Sequence, residues 1–325
     1  MRERGARGSK LRRLEREFAL ADLGITQPAA AVQSLTGVTR LAKLRDRRRV
    51  VSVYGTADVL SSAAAAAAVY RRRLKQSGVV LIAVLAGPTT EAWESQARLA
   101  QAAGWLWQPS NSQEWVDYFS ELLAGRSAEG GAGAWWALSL TGRSCGSGLG
   151  TPPWDELLGT KMPPLQPIAP EEPVDAAATP PELSVLEAQR CFYAALAEPA
   201  DAAGRVESLC LDTHDAEVSQ LAAGGRLDNW TVVLADGVTA GMRLSSADAI
   251  VAPGGVEAWS TAIEHPSAGK GTLLCTQRWR NVAAEGEVAQ WKLAQHRTIP
   301  YADGLDAIAA LRCDCRGCVA LQRMT

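Results

Sequence analysis

The chain has 325 residues, of which 47% are hydrophobic and 21% charged, and its formal net charge is −2 at pH 7. The length predicts two domains or one large one, and the composition is typical of globular proteins with buried cores. The nearly balanced charge argues against a general nucleic-acid binder, and no apolar run approaches the roughly 20 residues of a membrane-spanning helix. The seven cysteines are an odd number, mostly isolated in apolar context, which favours reduced, buried thiols.

The first 47 residues form a basic segment in front of the first predicted domain. An apolar spacing near 3.6 predicts a short helix over residues 11–23, and a basic connector follows it. We interpret the segment as a solvated charged helix in front of the first domain. The alternative is that it lies on an anionic membrane surface or on RNA.

Residues 48–160 are predicted to form a three-layer α/β domain with a mainly parallel sheet. Two continuous apolar runs, Arg49–Tyr54 and Val79–Leu85, have the composition of strands buried on both faces. The remaining predicted elements are helices Ala57–Gln76, Glu91–Ala103 and Ser112–Ala124 and strands Trp105–Gln108 and Trp135–Leu140. Alternation of strands and helices favours a sheet covered on both faces.

A glycine-rich loop, Thr141–Trp154, ends this domain. Loops of this kind cradle phosphates when a helix and a P-loop lysine follow, but here a proline pair follows. We therefore interpret it as a structural loop, marked by Gly142, Arg143, Gly146, Gly148, Gly150, Pro152, Pro153 and Trp154. The domain has no Cys-x-x-Cys and holds only Cys145, which argues against thioredoxin-type disulfide exchange.

Residues 161–181 are rich in proline and alanine and are predicted to be an extended linker. Residues 182–301 then show helices followed by strands, which predicts an α+β domain with an antiparallel sheet. The predicted elements are helices Glu182–Leu196 and Asp201–Leu209 and strands Glu257–Glu264, Thr272–Trp279 and Gln290–Ile299.

His296 is the only histidine inside a predicted strand. Period-two alternation predicts that it shares a polar face with Lys292, Ala294 and Thr298, and such a face can line a cavity. Tyr193, Trp279 and His296 are the candidate ligand-pocket residues, and His296 and Asp212 are candidate catalytic residues. The alternative is a structural histidine whose ring nitrogens are hydrogen-bonded in the core and have no functional role.

Residues 302–325 form a cysteine-rich tail. Cys313, Cys315 and Cys318 lie within six residues of one another and form a candidate zinc site, with His296 or a partner's ligand as the fourth donor. A redox role is the alternative, because neighbouring arginines lower thiol pKa values. A terminal strand with incidental cysteines is the third interpretation, and no other cofactor is expected.

Residues 18–160 resemble the soluble part of the chloroplast Low PSII Accumulation 1 family, which assists photosystem II assembly and repair. The segments that carry the resemblance are FALADLGITQP, RDRRRVVSVYG, VYRRRLKQSGVVLIAVL and LTGRSCGSGLGTPPW. The resemblance implies a chloroplast factor in the stroma or at the thylakoid that docks on photosystem II subunits or assembly factors without catalysis. It also implies peripheral contact of the basic segment with anionic thylakoid lipid. Family members usually carry transmembrane helices and tetratricopeptide repeats, neither of which this sequence shows.

Residues 182–301 are similar to the SnoaL-like, or nuclear-transport-factor-2-like, domain. The similarity rests on LEAQRCFYAALAEP in the first helix, a middle strand with a tryptophan, and the closing strands QRWRN and WKLAQHRTIPY. It implies a cone in which a curved antiparallel sheet wraps around helices and leaves a pocket at its mouth. Such a domain would form a homodimer or bind a small molecule, and an isomerase-like enzyme is the alternative to a docking factor.

Overall fold

The computed structural model describes residues 15–26, 38–124, 133–166, 179–197, 202–211, 217–222, 225–237, 239, 241–267, 271–284, 287–301, 311–314 and 317–320. Contacts between Cα atoms divide the chain into two compact units, Met1–Leu157 (unit 1) and Leu158–Thr325 (unit 2). Among the described helices, none has the length and apolar character needed to cross a membrane. Most of the predicted linker, residues 167–178, lies outside the described residues.

Unit 1 combines a seven-stranded sheet with helices on both of its faces. Its strands are β1 (Gly24–Thr26), β2 (Val38–Arg40), β3 (Arg49–Gly55), β4 (Val79–Leu85), β5 (Leu106–Pro109), β6 (Ala134–Leu138) and β7 (Ser144–Leu149). Its helices are α1 (15–22), α2 (Ala57–Ala68), α3 (Arg71–Gln76), α4 (Glu91–Ala102), α5 (Ser112–Leu123) and the one-turn α6 (Trp154–Glu156), with a 3₁₀ turn at Leu41–Leu44.

The strand order in unit 1 is β2-β1-β5-β4-β3-β6-β7. Only the central strands β3, β4 and β5 run parallel, and every other pairing is antiparallel. The α/β character is as predicted, but the prediction of a mainly parallel sheet is wrong. Parallel neighbours need long crossovers, whereas β6 and β7 are joined by a tight hairpin, which forces antiparallel pairing.

The described part of the basic segment, residues 15–26 and 38–47, belongs to the fold of unit 1. Strands β1 and β2 extend the sheet beyond β5, and Leu20, Ile25 and Leu41 are at most 4% exposed. The predicted boundary at residue 48 is therefore corrected, because these apolar side chains fill the same core as β3 and β4.

Helices α1 and α5 pack on the sheet face that carries Val50, Val80 and Ile82. Phe119 of α5 is fully buried, and its ring stacks on Tyr54 of β3 with centroids 5.2 Å apart. Helices α2 and α4 pack together on the opposite face. Both faces of β3 and β4 are thereby shielded from solvent, which explains why these strands are continuous apolar runs.

Six residues of the predicted glycine-rich loop, Ser144–Leu149, form the strand β7, which pairs with β6. A Cβ atom on Gly146 would lie 3.0 Å from the Trp135 ring, and one on Gly148 would lie 2.9 Å from its Nε1. The Gly-x-Gly spacing therefore lets the indole lie flat across β7. At the hairpin turn, Gly142 has a φ of 73°, and the side chain of Arg45 packs where its Cβ would be.

Unit 2 combines a six-stranded sheet with helices on one face. Its helices are α7 (Pro180–Ala197), α8 (Ala202–Leu209) and α9 (Trp230–Asp236), and a π-helical turn covers Leu157–Lys161. The strands are β8 (Glu217–Ala222), β9 (Gly225–Leu227), β10 (Arg243–Val251), β11 (Glu257–His265), β12 (Thr272–Asn281) and β13 (Trp291–Tyr301). A separate hairpin pairs β14 (Leu311–Asp314) with β15 (Gly317–Ala320).

The strand order of the larger sheet is β10-β11-β12-β13-β8-β9. The pairing of β13 with β8 is parallel, so this sheet too is mixed, where the sequence predicted a purely antiparallel one. The predicted helices and the last three strands are present, whereas β8, β9, β10 and α9 were not predicted. Phe192 of α7, Trp230 of α9 and Trp279 of β12 pack in one core against the sheet.

A β-bulge in β13 overturns the predicted facing of its side chains. Arg278 pairs with Gln295 and Trp279 pairs with Leu293, so Ala294 is an extra residue. The alternation reverses at this point, and Leu293 and His296 both face the core. Lys292 instead reaches the carbonyl oxygen of Ser208 and does not share the face of His296.

Replacing Gly148 with alanine is expected to destabilise unit 1 by about 1–3 kcal/mol, because the new methyl group would overlap the rigid indole of Trp135. Ser147→Ala is the control, since Ser147 is exposed on the same strand and should change stability by less than about 0.5 kcal/mol. Urea unfolding followed by circular dichroism measures both. Equal stability of the two variants would contradict this account of the Gly-x-Gly run.

Candidate functional site

A closed set of buried polar side chains lies between α7 and the sheet of unit 2. We call it the polar network. Its members are at most 7% exposed: Gln189 and Tyr193 from α7, Gln220 from β8, Ser260 and Glu264 from β11, Cys275, Gln277 and Trp279 from β12, and His296 from β13. Buried polar groups persist in a core only when they are hydrogen-bonded, so the contacts within this set decide its chemistry.

The fold brings these residues together by two simple periodicities. Gln189 and Tyr193 are four residues apart and therefore lie on one face of α7. Ser260, Gln277 and His296 are direct cross-strand neighbours on β11, β12 and β13. Side chains in such positions lie about 5 Å apart and contact one another.

The amide of Gln277 determines which ring nitrogen of His296 carries the proton. Gln277 Oε1 accepts hydrogen bonds from Gln189 Nε2 (2.9 Å) and from Ser260 Oγ (3.2 Å). Its Nε2 is consequently the donor that faces His296 Nδ1 at 3.2 Å. The other ring nitrogen, Nε2, then carries the proton and donates to Gln220 Oε1 at 2.7 Å. This pattern of partners assigns the neutral Nε2–H tautomer to His296.

Glu264, Tyr193 and Cys275 complete the ring of contacts. Gln220 Nε2 donates to Glu264 Oε2 at 3.4 Å, and the Tyr193 hydroxyl donates to Glu264 Oε1. The same hydroxyl lies 3.2 Å from Cys275 Sγ, which in turn lies 3.7 Å from His296 Nδ1. A thiol, a carboxyl, a phenol and an imidazole thus contact one another in one buried space.

Burial favours the uncharged form of all four of these groups. It raises the pKa of Glu264, raises the pKa values of Tyr193 and Cys275 well above their usual range, and lowers the pKa of His296 to about 3. His296 Nε2 and Glu264 Oε1 are 3.8 Å apart. Because a pKa of about 3 leaves the imidazole uncharged at neutral pH, this contact is not an ion pair.

Aromatic rings close the network against the rest of the core. The Phe192 and Trp230 rings lie with their centroids 5.9 and 5.3 Å from that of His296. Trp279 packs edge-on against Phe192, and its Nε1 donates to Ser260 Oγ at 2.9 Å. These apolar walls lower the local dielectric, which strengthens each hydrogen bond and makes an unpaired group costly.

The structure brings the three predicted pocket residues, Tyr193, Trp279 and His296, into this one network. Asp212, the other candidate catalytic residue, lies outside the described residues. The partners that were not predicted are Gln189, Gln220, Ser260, Glu264, Cys275 and Gln277. On β11 the sequence carried a usable pattern, because the inward positions Ala258, Ser260, Ala262 and Glu264 alternate apolar and polar residues. The parallel strand β8 gave no comparable pattern.

The zinc or redox site predicted in the tail stays a prediction. Cys315 lies outside the described residues, and only the backbone of Cys313 and Cys318 is described. These two residues pair opposite each other in the β14–β15 hairpin.

A second candidate site is a surface cleft of unit 1 that encloses about 160 Å³. It is lined by Glu17, Phe18, Arg45, Thr141, Gly142 and Arg143. A smaller adjoining groove shares Arg45 and adds Arg48. The Asp46 amide donates to the Leu140 carbonyl at 2.7 Å, which joins the two loops that carry these arginines. We call this feature the basic cleft, because the lining of the two spaces holds three arginines and one acidic residue, Glu17.

Replacing Gln277 with leucine is expected to lower the free energy of unfolding of unit 2 by about 2–3 kcal/mol. His296 Nδ1 would lose its donor, and Gln189 would lose an acceptor, inside an apolar core. Gln295→Leu on the same sheet is the control, because its amide bonds the exposed Glu217 and its loss should amount to less than about 1 kcal/mol. Equal losses in urea unfolding would show that the network does not stabilise the unit.

No protein-family model and no curated protein matches this chain. Among solved structures, an NTF2-like protein of unknown function from Rhodospirillum rubrum is 18% identical, with 36% of this chain and 98% of that chain covered and a TM-score of 0.26. A protein of unknown function from Pectobacterium atrosepticum is 14% identical over 38% and 94% of the two chains, with a TM-score of 0.28. A secreted disulfide oxidoreductase from Mycobacterium tuberculosis is 13% identical over 44% and 94%, with a TM-score of 0.29. Parts of this chain are therefore similar to such proteins, and likenesses this distant assign no activity to it.

Proposed function

We propose that this protein is a chloroplast docking factor for the assembly or repair of photosystem II, and that the basic cleft is its docking site. The supporting observation is a convergence of residues. Three of the four segments that resemble the Low PSII Accumulation 1 family contribute to this one cleft: Phe18 from the first, Arg45 from the second, and Thr141, Gly142 and Arg143 from the last.

The chemistry of the cleft suits an acidic protein segment. Arg45 and Arg143 are exposed, and a planar guanidinium binds a carboxylate through two parallel hydrogen bonds. Phe18 is 66% exposed beside them and offers an apolar anchor. A photosystem II subunit or assembly factor with acidic and apolar side chains in one stretch would match both features, and the same charge would draw the protein toward anionic thylakoid lipid.

The charge-reversal variant Arg45→Glu/Arg143→Glu is expected not to rescue a photosynthetic host that lacks the protein. Photosystem II accumulation and recovery from high light should stay at the level of the deficient line, because like charges would then repel the acidic partner. Lys75→Glu/Arg98→Glu is the control, since both residues lie on helices away from the cleft, on α3 and α4. The two double variants should unfold at similar temperatures, which would show that a difference in rescue does not come from stability.

Two outcomes would reject the docking function. One is a deficient line in which photosystem II accumulates and recovers normally without the protein. The other is full rescue by Arg45→Glu/Arg143→Glu, which would exclude the basic cleft as the docking site.

The second candidate function is small-molecule binding or isomerase-like chemistry in unit 2. It is favoured by the convergence of Tyr193, Trp279 and His296 on one network inside the helix-covered face of the sheet. A neutral imidazole whose pKa is lowered to about 3 would serve there as a hydrogen-bond partner, because at that pKa it is a weak base and carries no proton to give as an imidazolium acid.

Mass spectrometry of solvent extracts can test this second function. A compound carried by the protein purified from its native source should be present in the wild type and absent from Tyr193→Phe/His296→Gln. Wild-type protein that releases no compound beyond those found with the variant would exclude a tightly held ligand.

A further inference from the structure

We propose that Cys275, His296, Glu264 and Tyr193 form a binding site for one divalent cation of the zinc class inside unit 2. The donor atoms of the cysteine, the histidine and the glutamate all lie within 4.8 Å of one another and are fully buried. The site is independent of docking at the basic cleft, and it is separate from the cysteine-rich tail.

The spacing between sulfur and nitrogen matches tetrahedral coordination. Zinc binds thiolate sulfur at about 2.3 Å and imidazole nitrogen at about 2.0–2.1 Å, which places the two donors about 3.6 Å apart. Cys275 Sγ and His296 Nδ1 are 3.7 Å apart. The Tyr193 hydroxyl, 3.2 Å from the sulfur, and the Glu264 carboxyl, which it contacts, supply oxygen donors on the adjoining side.

The surroundings of His296 have the arrangement that orients a metal-binding imidazole. A ligating histidine donates its other ring N–H to a carbonyl or carboxylate, which fixes the tautomer. His296 Nε2–H donates in this way to Gln220 Oε1 at 2.7 Å, and the Gln220 amide is held by Glu264. Nδ1 is thereby left without a proton, and Cys275 Sγ lies 3.7 Å from it.

Charge balance favours a cation of charge +2 at this position. Binding would take Cys275 as its thiolate and Glu264 as its carboxylate, and any proton that these groups carry would leave to solvent. Tyr193 would ligate as the neutral phenol, so the two negative charges would neutralise the cation in the core. One existing contact must open, because Gln277 Nε2 lies 3.2 Å from His296 Nδ1 and occupies the lone pair that a cation would take. The released amide still has its acceptor bonds to Gln189 and Ser260.

Such a cation would cross-link the core of unit 2. Its four ligands come from α7, β11, β12 and β13, so it would tie the first helix to three adjacent strands. The expected role is therefore structural. At a free zinc concentration of 100 times the Kd, the thermal midpoint of unit 2 should rise by about 5–10 °C.

The test uses the full chain with the tail cysteines replaced, Cys313→Ser/Cys315→Ser/Cys318→Ser, so that only donors outside the tail remain. Cobalt(II) is added to the reduced protein, and sulfur-to-cobalt charge transfer and the d–d bands of tetrahedral cobalt are recorded, followed by displacement with zinc. We expect one equivalent to bind. Adding Cys275→Ser should weaken binding at least tenfold, whereas Cys210→Ser, at a buried thiol outside the set, should leave it unchanged.

Absence of cobalt or zinc binding by the tail variant would overturn the proposal, and so would undiminished binding after Cys275→Ser. X-ray absorption of the zinc-loaded tail variant decides the question if Cys275→Ser does not fold. One sulfur at about 2.3 Å with nitrogen and oxygen ligands supports the site. A shell of oxygen and nitrogen alone rejects it.

Discussion

Unit 2 depends on one constraint: polar side chains placed inside an apolar core must satisfy one another. Gln277 is central to this arrangement, because its single amide bonds Gln189 of α7, Ser260 of β11 and His296 of β13. An apolar core of the same volume would tolerate several registers between helix and sheet. A hydrogen-bonded network tolerates far fewer, since each shift leaves a donor or acceptor unpaired at low dielectric. The network therefore fixes how α7 sits on the strands.

Unit 1 depends on a different constraint, the steric packing of large side chains over glycine residues. The indole of Trp135 lies across Gly146 and Gly148, and Arg45 packs over Gly142 at the hairpin turn. Both contacts need the space that a missing Cβ leaves. Gly142 lets the Arg45 side chain pack on the hairpin turn, next to Arg143. The same glycine therefore shapes both the hairpin and the basic cleft.

The two units divide the candidate chemistry between a surface and a core. The basic cleft presents exposed cations that a partner can reach, whereas the groups of the polar network are enclosed in the core. Docking through the first and cation binding in the second do not compete for residues. A structural cation in unit 2 would stabilise the fold without taking part in recognition at unit 1.

The sequence by itself determined the elements whose patterns are local. Strands β3 and β4 are recognisable as apolar runs, α5 and α7 as helices, and β11 to β13 as strands between glycine-rich turns. It also singled out Tyr193, Trp279 and His296. All of these signals lie within one element and need no knowledge of its neighbours.

Only the tertiary structure decided the pairings and the facing of side chains. The short strands β1, β2 and β8 are strands because a distant neighbour supplies their hydrogen bonds, which no local pattern records. The extra residue Ala294 reverses the alternation of β13 and turns His296 inward toward Gln277, Gln220 and Cys275. A bulge depends on the register between two strands, so the chemistry of this histidine was set by pairing and not by its own sequence.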